Sequence, residues 1–192
     1  VEQTAARAIL NWQTFNVGSQ TTLNFNQQAS NWTALNRVGG NLAPSQILGR
    51  INAPGQVLVI NQNGIIFGGA SQINVGSLIA STAAITDQQF ITNGIYSSQS
   101  NASYLPSFSG AGGKIVVEKG ALITTNPPVS NTSGGGFVLL MGSEVTNAGA
   151  ITTPQGQVML SAGDDFILRP GYGTNVNQYS TTRGNEIAPL LR

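Results

Sequence analysis

Four segments of this chain open with glycine and run straight into an apolar strand: Gly55-Gln56-Val57-Leu58-Val59-Ile60, Gly113-Lys114-Ile115-Val116-Val117, Gly136-Phe137-Val138-Leu139-Leu140 and Gly156-Gln157-Val158-Met159-Leu160. The last three begin 23 and 20 residues apart. A second series interleaves with the first: Gly120-Ala121-Leu122-Ile123-Thr124-Thr125 matches Gly149-Ala150-Ile151-Thr152-Thr153, with Ser71-Gln72-Ile73-Asn74-Val75 as a looser member. Each period therefore holds at least two short strands joined by Gly, Asn or Pro turns. A period near 20 residues built from several short strands indicates a solenoid. A leucine-rich repeat needs a Leu lattice with Asn at a fixed offset, and a calcium-binding β-roll needs Gly-Gly-x-Gly-x-Asp; neither is present. What remains is an all-β chain folded as a parallel β-helix. Its inward Val, Ile, Leu and Ala stack from coil to coil, one strand spacing of about 4.8 Å apart.

Composition agrees. Only 8% of residues are charged, against roughly 25% in ordinary globular proteins. The surface must be Asn, Gln, Ser and Thr, which stack in neutral ladders without repulsion, whereas solvated helices lean on Glu and Lys pairs. The net charge is +1 and the basic residues are scattered from Arg7 to Arg192, so the concentrated basic surface that nucleic acid requires is absent. The chain has no Cys and no His. That excludes disulfides and thiolate metal sites and removes the usual general base. No stretch approaches the roughly 20 apolar residues of a membrane helix, so no stable membrane insertion is expected. Val1 to Thr4 do not read as a signal peptide, which leaves a cytoplasmic chain or a mature or trimmed form.

The chain reads as a single domain over residues 1–192: cap and first coils over 1–50, regular coils over 51–170, and the start of a continuation or a tail over 171–192. Thr22-Leu23-Asn24-Phe25-Asn26 alternates as a half-buried strand does. Ala8 to Trp12 fits a strand or a short helical turn. Trp12, Phe15, Phe25 and Trp32 read as core or cap of the solenoid rather than as a ligand-stacking surface. Residues 77–90, led by Ser77-Leu78-Ile79-Ala80-Ser81, are the one candidate helix, and a buried strand pair fits them equally well. Residues 93–112 break the repeat as an excursion, a long loop or an extra hairpin. Beyond Pro170-Gly171 the pattern fades with no closing polar cap, the expectation being that further coils follow.

Carboxylates are the only candidates for catalysis, since some β-helices cleave polysaccharides. A glycosidase needs two of them about 5–9.5 Å apart. Asp164 and Asp165 are adjacent in sequence, so in a strand they point to opposite faces, and after Gly163 they read as turn residues. Glu118-Lys119 and Glu144 read as a solvated structural pair on adjacent coils. No catalytic site, metal site or cofactor is expected. Asn31, Asn101 and Asn131 begin glycosylation-type triplets that a chain rich in Asn, Ser and Thr produces by chance. Gly134-Gly135-Gly136 lacks the following Lys-Ser/Thr of a phosphate loop and reads as a loop.

Asn61-Gln62-Asn63-Gly64-Ile65 lies between two apolar strands, and Asn-Gly favours a tight turn there, a coil corner. Its context is more specific. Ala8-Ile9-Leu10-Asn11-Trp12-Gln13-Thr14-Phe15-Asn16-Val17-Gly18, Ala34-Leu35-Asn36-Arg37-Val38, Ser45-Gln46-Ile47-Leu48-Gly49 and then Gly55 to Ile65 follow one another in register. In order and spacing, residues 5 to 170 resemble the N-terminal secretion (TPS) domain of two-partner-secretion exoproteins, the filamentous haemagglutinins and high-molecular-weight adhesins. The resemblance implies a right-handed single-stranded parallel β-helix with an N-terminal cap and an extra-helical hairpin or loop. It also implies recognition in the periplasm by the POTRA repeats of an outer-membrane transporter. By the same resemblance, Asn61, Gln62, Asn63, Gly64 and Ile65 match the family's Asn-Pro-Asn-Gly-Ile motif, and Asn36, Arg37 and Val38 its Asn-Arg-Val segment. Together they are the candidate transporter-recognition residues. Gln62 stands where the family has Pro, and loses a preset φ. The second motif of haemagglutinin-type members is absent, residues 27–33 being closer to the adhesin branch, and the family's first capping strands should precede residue 1. The expected role is a secretion-recognition and folding-nucleation module, secreted or at the cell surface of a Gram-negative bacterium. The alternatives are an adhesive or structural domain that self-associates through coil ends, and a polysaccharide-active enzyme.

Overall fold

The structure is a computed structural model that describes residues 1–40, 42–101, 103–128, 134–171 and 184–192. In chain order its strands are β1 (Arg7–Trp12), β2 (Thr22–Asn24), β3 (Thr33–Val38), β4 (Ser45–Ile47), β5 (Arg50–Ile60), β6 (Ile65–Phe67) and β7 (Gln72–Ser81). A helix, α1 (Asp87–Asn93), and a hairpin, β8 (Gln99–Ser100) and β9 (Ser103–Tyr104), come next. Then follow β10 (Lys114–Val117), β11 (Leu122–Thr125), β12 (Phe137–Gly142), β13 (Glu144–Asn147), β14 (Ala150–Thr152), β15 (Gln157–Ala162), β16 (Asp165–Pro170) and β17 (Asn185–Leu190). The triplets at Asn101 and Asn131 include residues outside those described.

Like residues stack on like, in parallel, along three faces. On the long face Ile9 pairs with Leu35, then Leu58, Ile79, Leu139 and Met159 in turn. On the short face the column is Leu23, Ile51, Ile73, Ile123 and Ile151. On the third it is Val17, Ile47, Phe67, Val117 and Asn147. The result is a parallel β-helix. Its inner column of Val57, Ile65, Ile73, Ile115, Ile123, Val138 and their neighbours is fully buried. Outside the short face the polar alternates also stack: Asn52 Nδ2 donates to Asn24 Oδ1 (2.9 Å) and Asn74 Nδ2 to Asn52 Oδ1 (3.3 Å). A neutral ladder thus provides the surface that the scarcity of charge required.

Register corrects three assignments made from motifs alone. Gly113 does not head the same column as Gly55, Gly136 and Gly156, because β10 lies on the third face between β6 and β13. Gly76, inside β7, is the true member of that column. The second series does occupy one face, but Ile123 pairs with Ile151, one residue out of step with a Gly120–Gly149 alignment. The shift keeps Ile123 inward and turns Leu122 to solvent, as the two-residue period of a strand demands. Glu144 pairs with Lys114 (2.7 Å), its register neighbour, while Glu118 accepts from the Gly69 N–H (3.0 Å).

The long face is buried on both sides. A second apolar core lies outside it, where Leu35, Leu58, Ile60, Ile79 and Leu139 meet Phe90, Ile95, Phe108, Phe166 and Leu168. The covering layer is α1, the segment after it, and the antiparallel pair β16–β17. Residues 77–81 accordingly belong to a strand. The helix starts six residues later, where the Thr86 hydroxyl caps the Gln89 N–H (3.1 Å) and Gly94, at φ 65°, stops it. The excursion includes the short hairpin β8–β9. After Gly171 the described chain returns antiparallel on β16 instead of adding a coil.

Asp165 ties this layer together. Its carboxylate, 3% exposed, accepts from the Gly110 N–H (2.9 Å) and Arg192 Nε (2.9 Å). The Gly110 bond, then Arg192 and the Ser109 hydroxyl, hold its pKa below the ordinary carboxylate value against the opposing effect of burial. A lowered folded-state pKa stabilises the fold fully above the ordinary value, near pH 4, and ceases to do so as pH falls through the lower folded value. The stability difference between the native chain and Asp165→Asn should therefore be constant at neutral pH and shrink below about pH 4. Urea titrations across pH that show a constant difference down to pH 2 would contradict this.

Candidate recognition site

The turn after β5 is built by one side chain. The Gly64 N–H donates to the Asn61 carbonyl (3.1 Å), closing a four-residue turn. Asn61 Oδ1 accepts from the Asn63 N–H (3.0 Å) and from Asn63 Nδ2 (3.2 Å), the Asx geometry that Asn adopts readily. Its Nδ2 donates backwards to the Ala43 carbonyl and the Ser45 hydroxyl, both at 3.1 Å. Asn61 is 1% exposed and fully satisfied. Gly64 has φ +125°, and a Cβ there would lie 3.1 Å from the Lys114 carbonyl oxygen and 3.2 Å from Pro44 Cβ. The positive φ selects glycine, and a Cβ would also be tight against both neighbours. Ile65 is buried between Ser45 and Ile115. Gln62 and Asn63 face outward, and Gln62 Nε2 reaches the Gly110 carbonyl (3.0 Å). With Gln62 in place of Pro the turn still closes, and its side chain gains a hold on the excursion.

The Asn-Arg-Val segment ends β3. Asn36 points into the inner column, completely buried. Its Nδ2 donates to the Leu58 carbonyl (3.1 Å) and its Oδ1 accepts from Trp12 Nε1 (3.0 Å). One amide thus joins three successive coils. Val38 packs on the inner column. Arg37 points outward and forms an ion pair with Asp87, in the first turn of α1. Arg7 Nη1 donates to the Phe90 carbonyl (3.2 Å) and to that of Ile91, at the other end of the helix. Two arginines on neighbouring strands therefore hold α1 at both ends. Arg37 stands opposite Ile60, so the two motifs occupy adjacent coils.

Of the eight candidate residues, Asn36, Asn61, Gly64 and Ile65 are buried, Arg37 and Val38 are half-buried, and Gln62 and Asn63 are exposed. The structure also recruits Ser45, Arg7 and Asp87, which the motifs did not mark. Thr86-Asp87 carries a helix-start signal that could have placed α1. The arrangement holds backbone together and offers no proton-transfer pair. Both aspartates after Gly163 are taken up by Arg192, Asp164 by its backbone N–H (2.6 Å) and Asp165 by its guanidinium. Among the described residues no group of three or more acidic, His or Cys side chains could hold a metal.

Comparison with known proteins agrees with the fold and the motifs. The family model for the TPS secretion domain matches residues 1–188. A heme/hemopexin-binding protein of Haemophilus influenzae is 30% identical over 177 residues, covering 88% of this chain and 17% of that protein. A second heme/hemopexin-binding protein of Haemophilus influenzae is 37% identical over 83 residues, 43% of this chain and 9% of its own length. The chain thus spans under a fifth of these relatives. The crystal structure of the HMW1 secretion domain from Haemophilus influenzae superposes with a TM-score of 0.68 at 24% identity, covering 99% of this chain and 46% of that one; it shows the same β-helix fold. The chain therefore belongs to the TPS secretion domain family, a non-enzymatic module of exoproteins that Gram-negative bacteria export by two-partner secretion through an outer-membrane transporter.

Proposed function

We propose that this domain is recognised by the transporter's periplasmic POTRA repeats before its coils close, and that after export it nucleates folding of the exoprotein. The observation that carries nucleation is the state of the last coil. Val158 and Leu160 stand on Val138 and Leu140 in register, at inward positions. Yet they are 41% and 47% exposed where their counterparts one coil below are 0%. Among the described residues no strand pairs with the outer edge of β15, and the apolar row there, in the repeat's own spacing, is a template for a further parallel strand. Recognition before closure is supported by the burial of Asn36, Asn61 and Ile65: a partner can reach these side chains only in an extended or partly folded segment, which could add a strand to a sheet edge.

Replacing Asn61 and Asn63 by Ala in the full exoprotein should sharply reduce its appearance in the medium. The Asn61 change alone should also cost the folded domain about 1–3 kcal/mol, through the donors and acceptors it strands. Undiminished secretion of the double variant removes the recognition role of the turn. Self-association is a second reading favoured by the same open coil; light scattering that finds a monodisperse monomer argues against it.

A further inference from the structure

The chain holds two Asn-Gly dipeptides, Asn63-Gly64 in the turn after β5 and Asn93-Gly94 at the end of α1. Both asparagines are exposed. A glycine after asparagine opens the way to one particular reaction, because no side chain on the glycine keeps its backbone nitrogen from the asparagine's own amide. That nitrogen, on losing its proton, attacks the side-chain amide carbon. A carbon–nitrogen bond closes a cyclic imide, the bond to the side-chain nitrogen breaks, and ammonia leaves with the proton. Water then opens the imide at either carbonyl. The product is aspartate, or isoaspartate, in which the main chain runs through the former side chain. Nothing is oxidised or reduced, and water is the one co-reactant.

The fold treats the two dipeptides differently. At Asn63 the reacting groups are held. Asn63 Nδ2 donates to Asn61 Oδ1 (3.2 Å), and the Gly64 N–H donates to the Asn61 carbonyl (3.1 Å). Gly64 is buried. The next coil lies on the peptide itself: a Cβ on Gly113 would be 2.4 Å from the Asn63 carbonyl carbon and 2.5 Å from the Gly64 nitrogen. Freeing that nitrogen means lifting the start of β10 off β6. At Asn93 the constraints are few. Among the described residues its side chain has no hydrogen-bond partner. The Gly94 N–H donates to the Phe90 carbonyl (3.1 Å), but Arg7 Nη1 shares that acceptor (3.2 Å). Helix α1 has seven residues and one buried side chain, Phe90, so its last turn opens locally at small cost. Opening that turn frees the nitrogen and lets the Asn93 amide swing to it, with every coil intact.

We propose that Asn93 is a self-modification site, converted to aspartate and isoaspartate in the folded domain, and that coil stacking spares Asn63. Either product places a carboxylate at the C-terminal end of α1, where the helix dipole opposes negative charge. Isoaspartate also lengthens the main chain by a methylene and undoes the bond from Gly94 to Phe90. The covering layer therefore loosens at α1 as the protein ages, while the Asn61–Gly64 turn keeps its amides. Conversion at Asn63 marks only molecules whose coils have stayed open.

The test incubates the 192-residue chain at mildly alkaline pH, folded in buffer and unfolded in guanidinium. Samples taken over time are digested, and peptides carrying Asn, Asp and isoAsp at each position are separated and identified by mass spectrometry. In the folded chain Asn93 should convert about tenfold faster than Asn63 or more, the difference in local opening setting the ratio. In guanidinium, where neither dipeptide keeps its surroundings, the two should convert at similar rates. Asp87→Ala, which removes the Arg37 contact at the start of α1, should speed conversion at Asn93 and leave Asn63 unchanged. Equal rates at the two positions in the folded chain overturn the proposal. So does an Asn93 that converts in guanidinium and stays inert in the fold. An Asp87→Ala chain in which both positions speed up alike places the control in global unfolding and removes α1 from it.

Discussion

Gly76→Ala should destabilise the domain by about 3 kcal/mol or more, the upper part of the range for forcing extra atoms into a packed interior. Gly55, Gly76, Gly136 and Gly156 line one corner of the solenoid, where the chain turns from the short face to the long face. A Cβ on Gly76 would lie 2.6 Å from the Pro54 carbonyl oxygen and 2.7 Å from that of Gly55. On its other side, a Cβ on Gly136 would lie 1.8 Å from the Gly76 carbonyl oxygen, and one on Gly156 1.9 Å from that of Gly136. The obstructing atoms are backbone carbonyls at a register irregularity between Ala53 and Gln56, with parallel ladder on either side of it. No side chain can swing aside, and Gly76 cannot retreat because Gly136 backs it. In a chain of this length each kcal/mol corresponds to roughly 2–4 °C in Tm, so a fall of about 6–12 °C is expected. Gly39→Ala is the matched control. Nothing lies within 4 Å of a Cβ there, and the change should be neutral or mildly stabilising through the unfolded chain. Thermal unfolding of the two variants beside the native chain decides the matter; equal midpoints for Gly76→Ala and Gly39→Ala would show that the corner yields.

That corner also marks the limit of what could be read from the residues in order. The β-helix was legible because Gly-led apolar strands recur at a period near 20 residues: Val138-Leu139-Leu140 and Val158-Met159-Leu160 stack in register as their Gly136 and Gly156 heads imply. Which face each strand joins was not legible. Gly113-Lys114-Ile115 resembles Gly136-Phe137-Val138 locally, and only the ladder partners separate third face from long face. The second core was half visible. Val57-Leu58-Val59-Ile60 and Val138-Leu139-Leu140-Met141 are unbroken apolar runs, whereas a one-sided strand alternates, and an unbroken run means cover on both sides. The helix escaped because seven residues with one buried side chain, Phe90, are too few to display a 3.6-residue period. At the site, Asn61 to Gly64 announce a turn through Asn-Gly. The groups that make Asn61 indispensable, Ala43 and Ser45, lie 18 and 16 residues back. The Arg37–Asp87 clip spans 50 residues, and nothing local encodes it.

At the opposite end of the same corner the close approach of backbone is joined by buried amides, and Gln27 should prove the costliest single polar residue to lose. A Cβ on Gly55 would meet Gln27 Oε1 (2.7 Å) as well as the Trp32 carbonyl oxygen (2.5 Å). Gln27 Nε2 donates to Gln3 Oε1 (2.9 Å) and to the carbonyls of Trp32 and Gln56 (3.2 Å each), while its Oε1 accepts from the Gly55 N–H (2.8 Å). Gln3 Nε2 in turn donates to the Ala5 carbonyl (2.7 Å) and that of Thr33 (3.1 Å). Both glutamines are buried. Gln27→Leu keeps the volume but strands the Gly55 N–H and the Gln3 carbonyl oxygen, and each buried unsatisfied group costs about 1–3 kcal/mol. A net loss of about 3 kcal/mol is expected. Gln27→Glu distinguishes hydrogen bonding from packing, since it has the same shape. An ionised carboxylate still accepts from the Gly55 N–H, but it faces the Gln3 oxygen and two carbonyls with no proton to give. Burial and those dipoles raise its folded-state pKa above that of an unfolded glutamate. Stability relative to the native chain is then best below the ordinary glutamate range, near pH 4, and is lost as pH rises through the raised folded value. Urea midpoints of Gln27→Glu and the native chain should therefore converge as pH falls from 7 towards 4. If the gap is the same at both pH values, the amides fill space at this corner and their hydrogen bonds do not hold it.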